Sequence, residues 1–394
     1  MKILFVANRF PYPPFRGDKL KIYNLCKRLS KNHDLVLLSF YEDKAELEYL
    51  EHIEPFFSHI ELVYLPKWRS YLNVILALFS KQPLQLAYFK SRKMHAALQR
   101  LLSSFNIDVI HTQHLRMSQY TSELDHAKIL DLPDAFSLYW KRRRDTDRAW
   151  YMKILDNLEI TRLIKSEGVI KKYDLCLVCS QEDKIYLDKV HKSENVRISL
   201  NGVDLSTFDV GNGHEYNSAD SLLFTGNMDY APNVDAVCYF VEQLWPEIKS
   251  KHKDLKFVIA GQRPIPRVKQ LASEDIEVTG FVPSLTEMYK SATVVIAPLR
   301  FGAGTQNKVL EAMAMGVPVV CTRIGFEGLE IEDGEGVYLA KNDEEFKNRV
   351  SQLLTDAGLR EQVGQRGLSV AQSKFSWDII ARNLEAYMNS VWRS

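Results

Sequence analysis

Cysteine is scarce in this sequence, which contains five in 394 residues. Cys176 and Cys179 form a close pair, but they lie in an apolar run that predicts a buried strand. No second Cys pair or His pair follows at the spacing of a metal site. The sequence therefore predicts neither zinc nor redox chemistry, and it indicates a reducing, cytoplasmic compartment.

Net charge is almost absent, because 51 lysines and arginines oppose 50 aspartates and glutamates. A chain with this balance has no overall field that would attract nucleic acid. Any site for a polyanion must therefore be local, and we expect no nucleic-acid partner.

Long apolar runs are also lacking. The run at residues 1–7 is short and has no small-residue cleavage site, so it predicts a first strand rather than a signal peptide. The most lipid-like stretch, residues 71–79, is far too short to span a bilayer. Lys67, Arg69 and Lys81 flank it. Such a segment is either a core-facing helix with solvated ends or a peripheral contact with anionic lipid at the cytoplasmic face of the inner membrane.

What the sequence does contain is an alternation of strand-length apolar runs with longer amphipathic segments. The length and the 46% hydrophobic content predict a globular protein of two domains. Strands are predicted at residues 2–7, 34–40, 60–64, 108–111, 128–132 and 174–179, and again at 221–225, 255–260, 276–278, 292–297, 318–321 and 336–339. Helices of the first half are predicted at residues 18–31, 43–52, 92–105 and 145–170.

This alternation predicts the α/β class, with two Rossmann-like, doubly wound domains that face each other across a cleft. We place the first domain at residues 1–198 and the second at residues 199–375. Ligands of such sheets bind beyond the carboxyl ends of the strands, so the cleft is the expected site.

A glycine-rich turn joins a predicted strand to a predicted helix in the second domain. The strand ends at Pro298, and the helix begins near Thr305. Between them, Gly302 and Gly304 permit backbone conformations closed to other residues. A helix N-terminus after such a turn offers unpaired N–H groups and the positive end of the helix dipole to an anion. Alternatively, the segment is an ordinary strand–turn–helix joint, with glycines for close packing.

Charged residues around the turn favour the anion site. Arg300 and Lys308 bracket the turn with positive charge. Glu311 lies about two helical turns beyond Gly304, where a carboxylate can accept hydrogen bonds from a vicinal diol such as a ribose. We therefore interpret the loop as a phosphate site.

Four segments together resemble one protein family. They are Leu200-Asn-Gly-Val-Asp-Leu-Ser-Thr-Phe208, residues 224–236, residues 280–292, and the glycine-rich loop with its helix. In this combination the chain resembles the GT-B glycosyltransferases of the large retaining family, group 1, which includes enzymes of bacterial envelope polysaccharide synthesis. Residues 11–19 occupy the place of the family's Pro/Gly-rich loop after the first strand. The resemblance also implies that the C-terminal helix, 376–394, packs back onto the first domain.

The resemblance implies a donor site. Backbone groups of the loop would hold the diphosphate and the sugar, Glu311 would bind the ribose, and a strand end at Phe281 and Val282 would read the base. Gly17 would let the first-domain loop approach the donor. The predicted donor-binding residues are Gly17, Asp18, Gly226, Asn227, Arg263, Phe281, Val282, Arg300, Gly302, Ala303, Gly304, Thr305, Gln306, Lys308 and Glu311.

Some positions depart from the family pattern. Ala303 stands where the first glutamate of the Glu-x7-Glu motif falls, so a carboxylate contact to the donor sugar is missing there. Asn227 and Asn233 replace the usual arginine and lysine that neutralise the diphosphate. The candidates to supply that charge are Arg263, Arg300 and Lys308.

The family's fifth-strand histidine is also missing, and aspartates stand in its place. The predicted catalytic residues are Asp134, His111 and Asp131, at strand ends toward the cleft. In the retaining family the leaving phosphate can deprotonate the acceptor, whereas an inverting transfer needs a general base. Asp134 follows a proline and is alternatively a helix N-cap, and His111 is alternatively a buried, hydrogen-bonded histidine.

Asp145 and Asp147 have the spacing of a metal-binding Asp-x-Asp motif. Their basic neighbours, Lys141 to Arg144, favour a charged helix face over a metal cage. We predict no metal and no cofactor; the nucleoside diphosphate sugar, UDP- or GDP-linked, is a substrate.

The predicted function is hexosyl transfer, with retention, from a nucleoside diphosphate sugar to a glycan or lipid-linked acceptor in envelope or exopolysaccharide synthesis. Two alternatives remain open. A nucleotide-sugar epimerase has the same architecture and needs no acceptor. A catalytically silent nucleotide-binding subunit is suggested by Ala303 and by the missing Arg/Lys pair.

Overall fold

The computed structural model describes residues 1–146, 149–211, 213–217 and 220–393. The chain divides into two compact units, a first domain of residues 1–200 with 377–394 and a second domain of residues 201–376. The first boundary lies at residue 200, two residues after the expected 198, and the second at residue 376, one residue after the expected 375.

The first domain is built on a parallel sheet to which the described residues contribute seven strands, in the order β3-β2-β1-β4-β5-β6-β7. Strand order departs from chain order between β1 and β4, which is the switch point of a doubly wound sheet. The strands are β1 (Lys2–Ala7), β2 (Asp34–Tyr41), β3 (His59–Tyr64), β4 (Val109–Gln113), β5 (Lys128–Asp131), β6 (Leu175–Val178) and β7 (Val196–Ile198).

Helices connect these strands. The α-helices are α1 (Gly17–Leu29), α2 (Lys67–Leu78), α3 (Leu84–Tyr88), α4 (Arg92–Ser104), α5 (Ser118–Thr121), α6 (Phe136–Arg144), α7 (Trp150–Glu167), α8 (Gln181–His191) and the C-terminal α17 (Trp377–Trp392). Short 3-10 helices occur at Lys44–His52, Glu54–Phe56, Leu115–Met117 and Gly168–Lys172.

The core of the first domain has two layers, one on each face of the sheet. Ile3 and Phe5 of β1 pack in a cluster that includes residues of α1 and α17. Leu4 and Val6, which point to the opposite face, pack in a cluster that includes residues of α4. Both faces of β1 are therefore covered, which explains why its sequence is apolar throughout.

The second domain repeats this design with a parallel sheet of six strands among the described residues, in the order β10-β9-β8-β11-β12-β13. The strands are β8 (Ser221–Thr225), β9 (Lys256–Ala260), β10 (Ile276–Gly280), β11 (Val294–Ala297), β12 (Val319–Thr322) and β13 (Val337–Ala340). The helices are α9 (Ala231–Tyr239), a π-helical segment (Phe240–Leu244), α10 (Trp245–Lys251), α11 (Pro266–Lys269), α12 (Leu285–Lys290), α13 (Asn307–Ala314), α14 (Arg323–Phe326), α15 (Asp343–Thr355) and α16 (Ala357–Lys374).

Several elements differ from the sequence-based expectation. The helix expected at residues 145–170 is α7, which begins only at Trp150 and ends at Glu167, and the preceding helix α6 (Phe136–Arg144) was not expected. The segment expected as a helix at 43–52 is a 3-10 helix, closed at its start by Asp43 and Glu46 in a capping box. The strand β7 was not expected; it is only three residues long and alternates too little to be recognised.

Candidate functional site

The glycine-rich loop of the second domain follows β11 and leads into α13. Gly302 and Gly304 have φ angles of 149° and 73°, in the region that favours glycine. The helix begins at Asn307, two residues later than expected. The first N–H groups of a helix have no acceptor inside it, so they point toward the loop and can bind an anion.

Side chains of the loop hold its shape. The Thr305 hydroxyl is buried and donates to the carbonyl of Gly328 at 3.3 Å. The Gln306 amide donates to the carbonyl of Gly304 at 3.4 Å. Ala303, between the two glycines, is partly exposed. The loop therefore offers an anion its backbone rather than the Thr305 hydroxyl, which contacts Gly328 in this structure.

The two arginines expected beside the diphosphate are engaged with aspartates. Arg300 donates through Nε and Nη2 to Asp235, at 2.9 and 2.5 Å. Arg263 is exposed, with a φ of 57°, and its Nη1 lies 3.2 Å from Asp229. Each positive charge is thus offset by a neighbouring carboxylate, which leaves less of it for a phosphate.

Lys308 is the cation that α13 places beside the end of β8. Its Nζ is buried, donates to the Asn233 side-chain oxygen at 2.9 Å and lies 4.7 Å from the centre of the Phe224 ring. Burial lowers its pKa to about 8, and the Glu311 carboxylate opposes that shift. Asn233, which stands where the family has a cation, therefore accepts a hydrogen bond from a lysine that arrives from another element.

Asn233 also fixes the turn after β8. Its Nδ2 donates to the carbonyl of Asn227 at 3.1 Å, and the Asn227 side chain accepts from Gln262 at 2.8 Å. At Gly261 a Cβ would lie 1.7 Å from the carbonyl oxygen of Gly226. The turns after β8 and β9 are therefore in direct backbone contact, and only glycine fits at residue 261.

Glu311 is anchored by a tyrosine that sequence reasoning did not single out. Tyr289 of α12 donates to Glu311 Oε2 at 2.8 Å, and its hydroxyl lies 2.7 Å from Thr225 Oγ1 at the end of β8. Burial raises the pKa of Glu311, while Tyr289 and Lys308 oppose that rise. No local motif marks Tyr289, because it reaches Glu311 only through the packing of α12 against α13.

The expected base-reading residues follow β10. Gly280 has a φ of 73°, and the next side chain, Phe281, is 63% exposed. Val282 is partly exposed. An aromatic ring that protrudes beyond the carboxyl end of a strand is available for stacking on a planar ligand.

In the first domain, Gly17 begins α1 and is exposed, and Asp18 lies in the first turn. Arg9 Nη1 lies 2.6 Å from Asp18 Oδ2. Burial alone would raise the pKa of Asp18, but the Arg9 guanidinium outweighs burial and holds it well below its usual range. Asp18 is thus a permanent anion paired with Arg9, and its contact with a donor stays a prediction.

His111 and Asp131, two of the three expected catalytic residues, are buried together. Their exposed fractions are 0% and 1%, and His111 Nε2 lies 3.3 Å from Asp131 Oδ2. Lys21 of α1 donates to Asp131 Oδ1 at 2.7 Å. Burial opposes ionisation of Asp131, yet Lys21 lowers its pKa to about 2. This burial argues that the trio ties α1 to β4 and β5, and a catalytic role for either residue stays a prediction.

Asp134, the third, is placed differently. Helix α6 begins at Phe136 with Ala135 as its N-cap and no side-chain cap, so the N-cap alternative for Asp134 is wrong. The Ala135 N–H donates instead to Asp183 at 3.0 Å. Burial, and then the charge of Asp183, raise the pKa of Asp134 to about 7. Its Oδ1 has no hydrogen-bond partner among the described residues.

His114 lies beside these groups at the end of β4. It has a φ of 78°, which is unusual for a non-glycine residue, and its ring packs 4.4 Å from that of Phe136. Burial and the charge of Arg116 hold its pKa well below the usual range, so the imidazole is neutral at pH 7. Asp145 caps the end of α6, whereas Asp147 lies outside the described residues.

Comparisons with known proteins agree with this architecture. An uncharacterised 44.6 kDa protein of the cps region of Klebsiella pneumoniae is 23% identical over 389 residues, which cover 95% of this chain and 96% of that protein. Sucrose-phosphate synthase from Thermosynechococcus elongatus superposes with a TM-score of 0.74 at 15% identity, over 100% of this chain and 99% of that one. Anabaena HepE, solved with UDP and glucose, gives a TM-score of 0.68 at 13% identity, over 99% and 100%.

Two Rossmann-like domains with these structural neighbours define a GT-B protein, and the predicted fold is confirmed. Residues 219–356 match the model of the family Glycosyl transferases group 1. The resemblance inferred from the four segments is therefore confirmed, and the match to the family model lies within the second domain.

Proposed function

We propose that the protein transfers a hexose, with retention, from a UDP- or GDP-linked sugar to a glycan or lipid-linked acceptor in envelope or exopolysaccharide synthesis. The observation that carries the proposal is the pairing, on α13, of a helix N-terminus that follows a glycine-rich loop with the anchored carboxylate of Glu311. A neighbour of the same fold, Anabaena HepE, is described as bound to UDP-glucose, and the relative from Klebsiella comes from a cps region. Both descriptions support this choice of donor and pathway.

The contacts suggest which residues bind each part of the donor. The loop N–H groups take the diphosphate, since they lie at the positive end of the helix dipole. Lys308 adds a positive charge from within the domain. Tyr289 orients Glu311, so that its other oxygen accepts from the ribose hydroxyls. The exposed Phe281 ring lies where a base can stack.

For the transfer step, the leaving phosphate takes the acceptor proton, as in the retaining family. Asp134 in the first domain contributes a carboxylate with a pKa near 7 and an unpartnered oxygen, which suits a hydrogen bond to the acceptor hydroxyl. His114, neutral and buried beside Phe136, can accept a hydrogen bond but adds no charge.

The test measures nucleotide binding by thermal unfolding, because a ligand that binds only the folded state raises the midpoint temperature of unfolding. UDP or GDP should raise the midpoint of the wild-type protein. Glu311→Ala should weaken the binding of that nucleotide about tenfold to a hundredfold, which corresponds to the free energy of hydrogen bonds to a charged group. Tyr289→Phe, which keeps the carboxylate but not its anchor, should give a smaller loss.

Glu277→Ala, an exposed change in the same domain, is the control and should bind normally. Unchanged affinity in Glu311→Ala removes the residue from the site, and no shift with any nucleotide contradicts the donor proposal. Turnover of a nucleotide sugar without acceptor would favour an epimerase. Binding without transfer to any acceptor would favour a silent subunit.

Contact with a membrane belongs to the same proposal. Helix α2 buries only Ser70 and Ala77, so the interpretation of residues 71–79 as a core-facing helix is wrong. Its apolar side chains are exposed, as are those of one face of α7. We call this set the α2–α7 apolar surface; it comprises Trp68, Tyr71, Leu72, Ile75, Leu76, Leu78, Phe79, Trp150, Tyr151, Ile154, Leu155 and Leu158.

The two helices meet where Arg162 of α7 donates to the carbonyl of Leu78, the last residue of α2, at 3.1 Å. Residues 62–107 contain no acidic residue and seven basic ones, which are Lys67, Arg69, Lys81, Lys90, Arg92, Lys93 and Arg100. Apolar side chains within a basic surround suit an anionic lipid surface. Among the described residues no helix has both the length and the apolarity needed to cross a bilayer, so the contact proposed is peripheral.

A further inference from the structure

Arg116 is a cation in the first domain to which the proposed transfer assigns no role. It lies in the 3-10 turn Leu115–Met117 that follows β4, directly after the positive-φ residue His114. This turn projects it from the carboxyl end of the sheet, the edge at which parallel α/β sheets bind ligands.

The guanidinium of Arg116 is held between two aromatic rings. Its centre lies 5.1 Å from the centre of the Phe89 ring and 5.3 Å from that of Phe136. Nη2 donates to Gln85 Oε1 at 2.6 Å. The Nε atom is buried and has no hydrogen-bond partner among the described residues. Stacking and one hydrogen bond thus fix the orientation of the planar fork and leave donors unused.

Carboxylates attract this guanidinium only from a distance, since Asp18 and Asp134 act on it through charge alone. In the part of the chain that the structure describes, no Asp or Glu oxygen lies within 4.0 Å of Arg116. The nearby Arg9 rests over the same Phe89 ring at 5.8 Å, but its charge is paired with Asp18. Burial, and then repulsion from Arg9, lower the pKa of Arg116 to about 9.

A packed and oriented arginine without an ion-pair partner destabilises the fold, because its charge is partly buried. A bound anion would supply the missing partner. A planar fork with free N–H groups matches the oxygens of a phosphate. We infer that Arg116 binds a phosphate group of a substrate. This inference rests on the proposed function, since that phosphate belongs either to a lipid-linked acceptor or to the donor.

The experiment uses the full-length protein and two probes, UDP and inorganic pyrophosphate, with pyrophosphate titrated by calorimetry in the presence of saturating UDP. Arg116→Met keeps an unbranched apolar stem between the two rings and removes the fork. Arg100→Met removes an exposed arginine of the same domain, paired with Glu61, and is the matched control. The wild type and Arg100→Met should bind pyrophosphate beside UDP, and Arg116→Met should bind it at least about tenfold more weakly.

The two sources of the phosphate give different results. Loss of pyrophosphate binding with unchanged UDP affinity assigns Arg116 to the acceptor. Loss of UDP affinity in Arg116→Met, with no pyrophosphate bound beside UDP even in the wild type, assigns it to the donor. Unchanged binding of both probes in Arg116→Met overturns the inference. Because the wild type must still bind UDP in that case, the donor proposal is judged separately. If Arg116→Met does not fold, Arg116→Lys, which keeps the charge but not the fork, should weaken the same probe.

Discussion

Asp134 is the residue at which burial most directly opposes the ionisation of a carboxyl group. Its ordinary pKa of 3.8 is raised to about 7, first by burial and then by Asp183, with Glu167 adding to the rise and Arg116 and Arg142 opposing it. Between pH 4 and 7 the folded chain therefore holds a proton that the unfolded chain has lost, so stability falls as pH rises through this window. Above pH 7 the penalty is constant.

Asp134→Asn should accordingly be more stable than the wild type above pH 7 and equal to it below about pH 4, measured as thermal midpoints. The same variant should lose activity, and the rise of kcat/KM through about pH 7 expected of the wild type should disappear. Asp125→Asn, an exposed change in the same domain, should alter neither property. An active Asp134→Asn with a wild-type pH profile would remove Asp134 from the reaction.

At this scale the sequence predicts the motif residues but not their partners. Glu311 and the loop glycines are recognisable because they share one short segment with a helix start. Tyr289 lies 22 residues before Glu311, and its contact depends on how α12 packs, which no local spacing encodes. Arg116 is missed for the same reason, since its charge is unusual only once its neighbours are known.

Among the elements, the turns after β8 and β9 are joined by backbone hydrogen bonds at the carboxyl ends of these strands. The Gly226 N–H donates to the Ala260 carbonyl at 3.0 Å, and the Gly261 N–H donates to the Gly280 carbonyl at 3.1 Å. Gly261 has a φ of 156°, and a Cβ there would meet the Gly226 carbonyl. These backbone contacts therefore position Asn227 together with the Asn233 and Gln262 side chains.

Gly261→Ala should destabilise the protein by about 3 kcal/mol, because the backbone of either turn must move to relieve the overlap. Gly280→Ala is the matched control. Gly280 has a φ of 73° with nothing within 4 Å of its added Cβ, so only the left-handed backbone is strained, at about 1 kcal/mol. Urea unfolding followed by circular dichroism measures both. Equal losses would mean that the close approach to Gly226 is not limiting.

The elements themselves were predictable where an apolar run is long enough to exclude alternatives. The strands from β1 to β6 were expected within two residues of their bounds because both faces of a parallel sheet demand apolar side chains. Helix α6 and the start of α7 at Trp150 were not expected, and the apolar positions of α7 lie on its exposed face, where their periodicity resembles that of a core helix.

For the molecule as a whole, the α2–α7 apolar surface is the feature that sequence periodicity described least well. Periodicity reports that apolar residues share one face, but not whether protein covers that face. Trp68, Phe79 and Trp150 are 69%, 90% and 74% exposed, far from the usual pattern for large apolar side chains. A patch of this extent on a folded domain indicates an interaction surface.

If that partner is anionic lipid, the purified protein should co-float with vesicles of phosphatidylglycerol and phosphatidylethanolamine, and much less with phosphatidylcholine alone. Binding should weaken as salt is raised, since part of the attraction is electrostatic. Changing Trp68, Phe79 and Trp150 together to serine should weaken it at least about tenfold, given the apolar area lost. The fold should survive, because these side chains pack little in the domain.

Ile185→Ser, an exposed apolar change on α8, should leave binding intact. Flotation that the triple variant retains would contradict lipid contact at this surface, and a wild-type dimer that the triple variant abolishes, without any flotation, would assign the surface to a second copy of the chain.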